Sequence, residues 1–163
     1  MTQHVVGSFD LVFRPSINLV SVVRRFVQNF YENLLDGDAA GQLALATHEL
    51  LENAVKYSLN GEARLSIAVA RAASKHEVSI GTRNRASPEN LDTLHKLFGE
   101  LERAADPFNF YQTLMKRSAK NPRGSGLGLA RIVAEADMEL RHQVHGDELH
   151  VFGRCVVVTK EAL

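Results

Sequence analysis

Only one cysteine, Cys155, occurs in the 163 residues, so neither a disulfide nor a multi-cysteine metal site can form within one chain. Its place in the apolar run from Val151 to Val158 suits a buried thiol in a reducing compartment. An excess of one charge is also lacking. Lys plus Arg and Asp plus Glu number 19 each, which leaves no global basic field to attract nucleic acid or an anionic membrane. No apolar run approaches the length that spans a bilayer, and Met1 to Asp10 has neither the basic n-region nor the apolar h-region of a leader. The expectation is a cytoplasmic protein with no nucleic-acid and no membrane partner. There is no internal repeat and no low-complexity tail, and 45% hydrophobic with 23% charged residues is the composition of one globular domain, here spanning 1–163.

What the sequence does have is a concentrated glycine stretch. Arg123-Gly124-Ser125-Gly126-Leu127-Gly128-Leu129 runs directly into a segment whose apolar residues Leu129, Ile132, Val133 and Ala136 recur at helical spacing. A glycine turn feeding a helix N-terminus lets backbone approach a phosphate closely, where first-turn N–H groups and the helix dipole favour an anion. Taken alone, the same stretch also reads as a flexible loop before an ordinary helix.

The remaining elements follow from periodicity. Phe9, Leu11 and Phe13 alternate with Ser8, Asp10 and Val12 as a half-buried strand ending near Arg14-Pro15. Ser16 is placed to cap an amphipathic helix from Ile17 to Leu35, ended by Asp36-Gly37-Asp38, and a second helix is expected from about Gln42 to Tyr57. Strands follow at Ala63 to Ala72 and around Val78 and Ile80. Ser87-Pro88 then opens a helix carrying Leu91, Leu94, Leu97, Phe98 and Leu101. Another helical segment runs from Pro107 to about Ser118, and the basic stretch Lys116 to Arg123 is expected to be a mobile lead into the glycine turn. Glu139 to His145 and Leu149 to Val158 read as a terminal hairpin turning at Gly146-Asp147-Glu148.

The second helix carries a possible site of its own. At about 100° per residue, Glu49, Asn53 and Lys56 fall in one sector of roughly 60° with Glu52 alongside, opposite Leu43, Thr47, Leu50, Leu51, Ala54 and Val55. An acid, an amide and an ammonium on one face suit a base for a hydroxyl or water, a magnesium ligand and a phosphate contact. The plain alternative is a solvated face with a Glu52–Lys56 ion pair. His48 reads as a packing or surface residue.

Together the two stretches resemble the GHKL (Bergerat-fold) ATPases, a superfamily that includes histidine-kinase catalytic domains, gyrase and anti-sigma-factor serine kinases. Glu49 to Tyr57 looks like that superfamily's N-box, and Gly124 to Ile132 like its second glycine box. The order of strands and helices also fits. The resemblance implies a two-layer α/β (α+β) sandwich, with a mixed, mostly antiparallel sheet covered on one face by helices. It further implies that ATP and Mg are bound: Asn53 would hold the metal, Glu49 would activate the attacking hydroxyl or water, and Lys56 would touch phosphate. Backbone at Gly124, Ser125, Gly126, Leu127 and Gly128 would cradle the phosphates, and 85–123 would form an ATP lid. A Walker A loop is excluded because Leu129, not lysine, follows Gly128, and a Rossmann fingerprint because Leu129 stands where it needs glycine.

One box of the superfamily is missing. Where members carry Asp-x-Gly-x-Gly, with the aspartate on the adenine amino group, this chain has Gly81-Thr82-Arg83-Asn84-Arg85-Ala86-Ser87-Pro88. Asn84 stands near the aspartate's place, where its amide would pair with an adenine edge. The run from Asn84 through Leu91, Leu94, Leu97, Leu101, Tyr111 and Leu114 to the glycine box is similar to the SiaB-like branch, in which that asparagine is not unusual. The branch implies a kinase that phosphorylates a hydroxyl side chain of a small cognate protein, with a STAS-like domain as a candidate. No helix with a phospho-accepting histidine precedes the domain, so a stand-alone switch kinase is expected in place of a complete sensor kinase. A degenerate, non-catalytic module that sequesters a protein partner stays open beside it, and a simple ATP hydrolase ranks last. Exposed apolar positions on the Ile17 to Leu35 helix point to a homodimer or partner surface.

Overall fold

The structure is a computed structural model that describes residues 4–14, 16–120 and 126–158. Its elements are β1 (His4–Phe13), α1 (Ile17–Glu32), α2 (Gly37–Tyr57), β2 (Ala63–Ala72), β3 (Lys75–Arg85), α3 (Pro88–Arg103), α4 (Pro107–Lys120), α5 (Leu127–Glu135), β4 (Glu139–His145) and β5 (Glu148–Val158). The strands form one five-stranded sheet in the order β1-β2-β3-β5-β4, and each pairing is antiparallel. This is the expected α+β sandwich, with the antiparallel part of the expected sheet making up the whole of it.

Register explains why helices cover a single face. Leu65 pairs with Thr82, Ile67 with Ile80 and Val69 with Val78, while Val78 pairs with Cys155, Thr82 with Val151 and Asn84 with Leu149. Because side chains alternate along a strand, these buried residues all fall on one side of the sheet. Helix α2 lies against that side with Leu43, Thr47, Leu50, Leu51 and Ala54 buried, and α1 and α5 flank it. The opposite face, with Ser66, Ser79, Arg83, Arg141 and Phe152, forms an open groove of about 690 Å³.

Most boundaries follow their capping residues. Ser16 accepts from the Leu19 N–H at 3.2 Å at the start of α1, and Ser87 from the Asn90 N–H at 3.2 Å at the start of α3. The expected start of the second helix near Gln42 needs correcting to Gly37, and α1 ends at Glu32, short of Leu35. Asp36 is the cause: its Oδ1 accepts from the Ala39 N–H at 3.0 Å, so it opens α2 instead of merely closing α1. Lys116 to Lys120, expected as part of a mobile lead, continue α4. That helix is capped at its start by Asp106, whose Oδ1 accepts from the Phe108 N–H at 2.8 Å. Arg123, Gly124 and Ser125 lie outside the described residues, as does Pro15.

One polar chain crosses the core. The Thr47 hydroxyl donates to the Leu43 carbonyl at 2.8 Å, which leaves its oxygen to accept from the Tyr31 hydroxyl 3.2 Å away. Both side chains are fully buried, and burial pushes the Tyr31 phenol well above its ordinary range. Cys155 is buried as expected, its thiol pushed up to about 11 by desolvation.

Candidate functional site

Helices α2 and α5 bring the two sequence motifs together. A Cβ built on Gly128 would lie 2.5 Å from Glu49 Oε2 and 3.5 Å from Asn53 Nδ2. One turn further along α5, Arg131 Nη1 stands 3.5 Å from Glu49 Oε1. Beyond it Ile132, Glu135 and Ala136 face Gln42, Leu45 and Ala46 across a groove of about 360 Å³. The contacts descend α2 as they ascend α5, so the helices run in opposite senses. Asn53 and the glycine turn mark one end, Glu49 the middle, and the groove the other end.

The turn itself is built for close approach. Gly126, the residue before α5, has φ 65° and ψ 10°, a left-handed conformation that L side chains adopt only with strain. A Cβ there would also lie 2.6 Å from Leu97 Cδ2, so α3 packs directly on the turn. Leu127 and Gly128 form the start of α5, and Gly124 and Ser125 lie outside the described residues.

Glu49 is 17% exposed at its side chain. Burial pushes its carboxyl above the usual range and Glu52 adds to the shift, while Arg131 and His48 oppose it. A carboxylate with a raised pKa, at a mouth between two helices, is suited to accepting a proton. Asn53 Nδ2 is buried with no hydrogen-bond partner among the described residues. The orphaned atom is a donor as placed, and a half-turn of the amide would put the oxygen Oδ1 in its position.

The remaining expected residues are less closely gathered. Lys56 is exposed, with its ammonium 5.2 Å from the centroid of the Tyr57 ring. Glu52 pairs with His48 Nε2 at 3.1 Å, not with Lys56 as a plain solvated face predicts. Asn84 is buried, its Nδ2 donating to the Arg85 carbonyl at 3.2 Å. It lines one small cavity together with Asn53. That cavity measures about 10 Å³ and is closed by Leu94, Leu129 and Leu149, enough for at most one water.

Sequence reading gave no role to Arg131 or Glu135, although their i,i+4 spacing just after the glycine turn was a usable signal. It also missed His142, which stacks on Phe98 at 4.3 Å and 22° and lies 3.3 Å from His95 Nδ1 through Nε2. No local pattern links those residues. Among the described residues there is no group of three or more His, Cys, Asp or Glu side chains able to hold a metal. A hard cation bound by one amide oxygen plus nucleotide oxygens and water needs no such group, and Asn53 would supply that oxygen once its amide is turned to put Oδ1 in place of the orphaned nitrogen.

No family model matches the chain, and no curated protein matches its sequence. Among solved structures, a chain of the SiaB–SiaC complex from Pseudomonas aeruginosa superposes with a TM-score of 0.57 at 17% identity. The match covers 95% of this chain and 92% of that one. At that identity the likeness shows a shared fold, and it extends over nearly the whole chain.

Proposed function

We propose that the protein is a Mg-ATP-binding regulatory kinase of the GHKL type, which phosphorylates a serine or threonine of a small cognate partner protein, for which a STAS-like domain is a candidate. The observation that carries this reading is the placement of the Glu49 carboxylate against Gly128, with the orphaned Asn53 amide beside it. Phosphoryl transfer asks the protein mainly to position groups and to stabilise charge. Backbone at the glycine turn holds the phosphates, and Glu49 accepts the proton of the acceptor hydroxyl. Asn53 would hold magnesium, which supplies charge neutralisation to the phosphates when bound.

In-line transfer requires the acceptor opposite the leaving ADP. The groove between α2 and α5 opens on the side of Glu49 away from Asn53 and Asn84, which suits an acceptor segment of the partner. Likeness to a chain taken from a two-protein complex supports a protein partner.

A second reading, a non-catalytic module that sequesters its partner, is favoured by one specific observation. The cavity between Asn53 and Asn84 is only about 10 Å³, whereas ligand pockets usually measure roughly 300–1,000 Å³. Calorimetric titration with ATP, with and without magnesium, separates the two. Magnesium-dependent binding that survives Glu49→Ala, together with loss of transfer to the partner in that variant, supports the kinase. Absence of binding at millimolar nucleotide supports the module.

A further inference from the structure

Arg131 has a second carboxylate besides Glu49. Its Nε donates to Glu135 Oε2 at 2.9 Å, while Nη1 stands 3.5 Å from Glu49 Oε1, the long limit for a hydrogen bond. One edge of the guanidinium is therefore firmly held and the other loosely. Arg131 is held toward Glu135, one turn further along α5, with its outer edge against Glu49. The Glu49 carboxylate lies between Arg131 and the glycine turn, with Oε2 against Gly128 and Oε1 against Arg131.

This arrangement has an electrostatic consequence. A phosphoryl group seated at the turn brings a second anion beside Glu49, and like charges a few ångströms apart in a half-buried site repel strongly. Lys56, the cation that the sequence assigned to phosphate, is exposed at the Tyr57 ring. Arg131 already touches the carboxylate, is 38% exposed at its side chain, and offers planar paired donors suited to phosphate oxygens.

We propose that Arg131 binds the γ-phosphoryl group of ATP, pivoting on Glu135 so that its outer nitrogens leave Glu49 for phosphoryl oxygens. The exchange releases the carboxylate to face the acceptor hydroxyl in the α2/α5 groove. Glu135 is the positioning residue of the pair. This inference rests on the Mg-ATP reading above.

The test compares calorimetric affinities for ATP and ADP, each with magnesium, in wild type, Arg131→Ala, Arg131→Lys and Glu135→Gln, with thermal melts to verify folding. Arg131→Ala is expected to weaken ATP about tenfold or more while ADP changes by less than about twofold, as for loss of a charge-assisted contact. Arg131→Lys should lose part of the preference, because a single ammonium replaces the fork, and it carries the test if the alanine variant does not fold. Glu135→Gln keeps an acceptor for Nε and should hold the ATP-to-ADP ratio within about threefold. Equal weakening of both nucleotides, or of neither, in the arginine variants overturns the role of Arg131 and leaves the ATP site standing. Wild type that binds neither nucleotide overturns the ATP reading itself.

Discussion

A Cβ on Gly128 would stand 2.5 Å from Glu49 Oε2, so the glycine turn and the acidic face of α2 are fitted to one another. Gly128 is helical, without a positive φ. By propensity alone, Gly128→Ala would therefore stabilise α5 by up to about 1 kcal/mol. The carboxylate opposes that gain and, being the end of a flexible side chain, swings away to make room. We expect Gly128→Ala to keep the fold but to lower phosphoryl transfer at least about tenfold through the displaced base. In a Glu49→Ala background the same change should stabilise more than in wild type, with a coupling of about 0.5 kcal/mol or more by chemical denaturation. Strict additivity would mean the two residues do not interact.

Glu49 also ties stability to pH. Its folded pKa is raised, chiefly by burial and then by Glu52, so the native state binds the proton more tightly than the unfolded chain. The stability this group contributes is complete below the ordinary carboxyl range and is lost as pH rises through the folded pKa. Glu49→Gln mimics the protonated form. It should match wild type near pH 4 and exceed it near pH 7.5 in urea denaturation. An advantage independent of pH would contradict the buried, proton-favouring environment. The acid limb of the transfer rate should likewise lie above the ordinary carboxyl range.

The Tyr31–Thr47 pair predicts an order of costs. Tyr31→Phe removes a donor, while Thr47 keeps its bond to the Leu43 carbonyl, so the loss should be about 0.5–1.5 kcal/mol. Thr47→Val leaves the buried Tyr31 hydroxyl without its acceptor, which costs about 1–3 kcal/mol. Equilibrium unfolding of the two variants checks the order, and a costlier Tyr31→Phe would reverse the donor assignment.

Much of this site was legible because local spacing carries it. The period of α2 placed Glu49 and Asn53 opposite Leu50, Leu51 and Ala54, and the burial of those three residues follows from the same stripe. Lys56 shared the sector on a helical wheel, but the wheel ignores reach, and the ammonium settled at Tyr57. Asp36 was misread because an aspartate between two helices ends one and caps the next with equal local logic; its bond to the Ala39 N–H decides the case. The stripe Leu91, Leu94 and Phe98 announced a buried helix face without naming what it covers. That it covers the space between Asn53 and Asn84 is a tertiary fact, set by the packing of Phe98 on His142 across to β4.

Leu94 gives that fact a measurable form. It is 2% exposed and closes the cavity of about 10 Å³ shared by Asn53 and Asn84, so a base that enters this cavity must displace Leu94. Leu94→Ala should cost about 2–5 kcal/mol in the absence of nucleotide, as large-to-small changes in a core do. The same truncation vacates room beside Asn84 and removes the side chain that a base must displace. The variant should therefore bind Mg-ATP more tightly than wild type, and saturating Mg-ATP should raise its melting temperature by more than that of wild type. Melting curves with and without Mg-ATP measure both effects. A variant that is destabilised and also binds nucleotide more weakly would show that Leu94 supports the site and does not obstruct it. An unchanged melting temperature in wild type and variant alike would point to the partner-binding module.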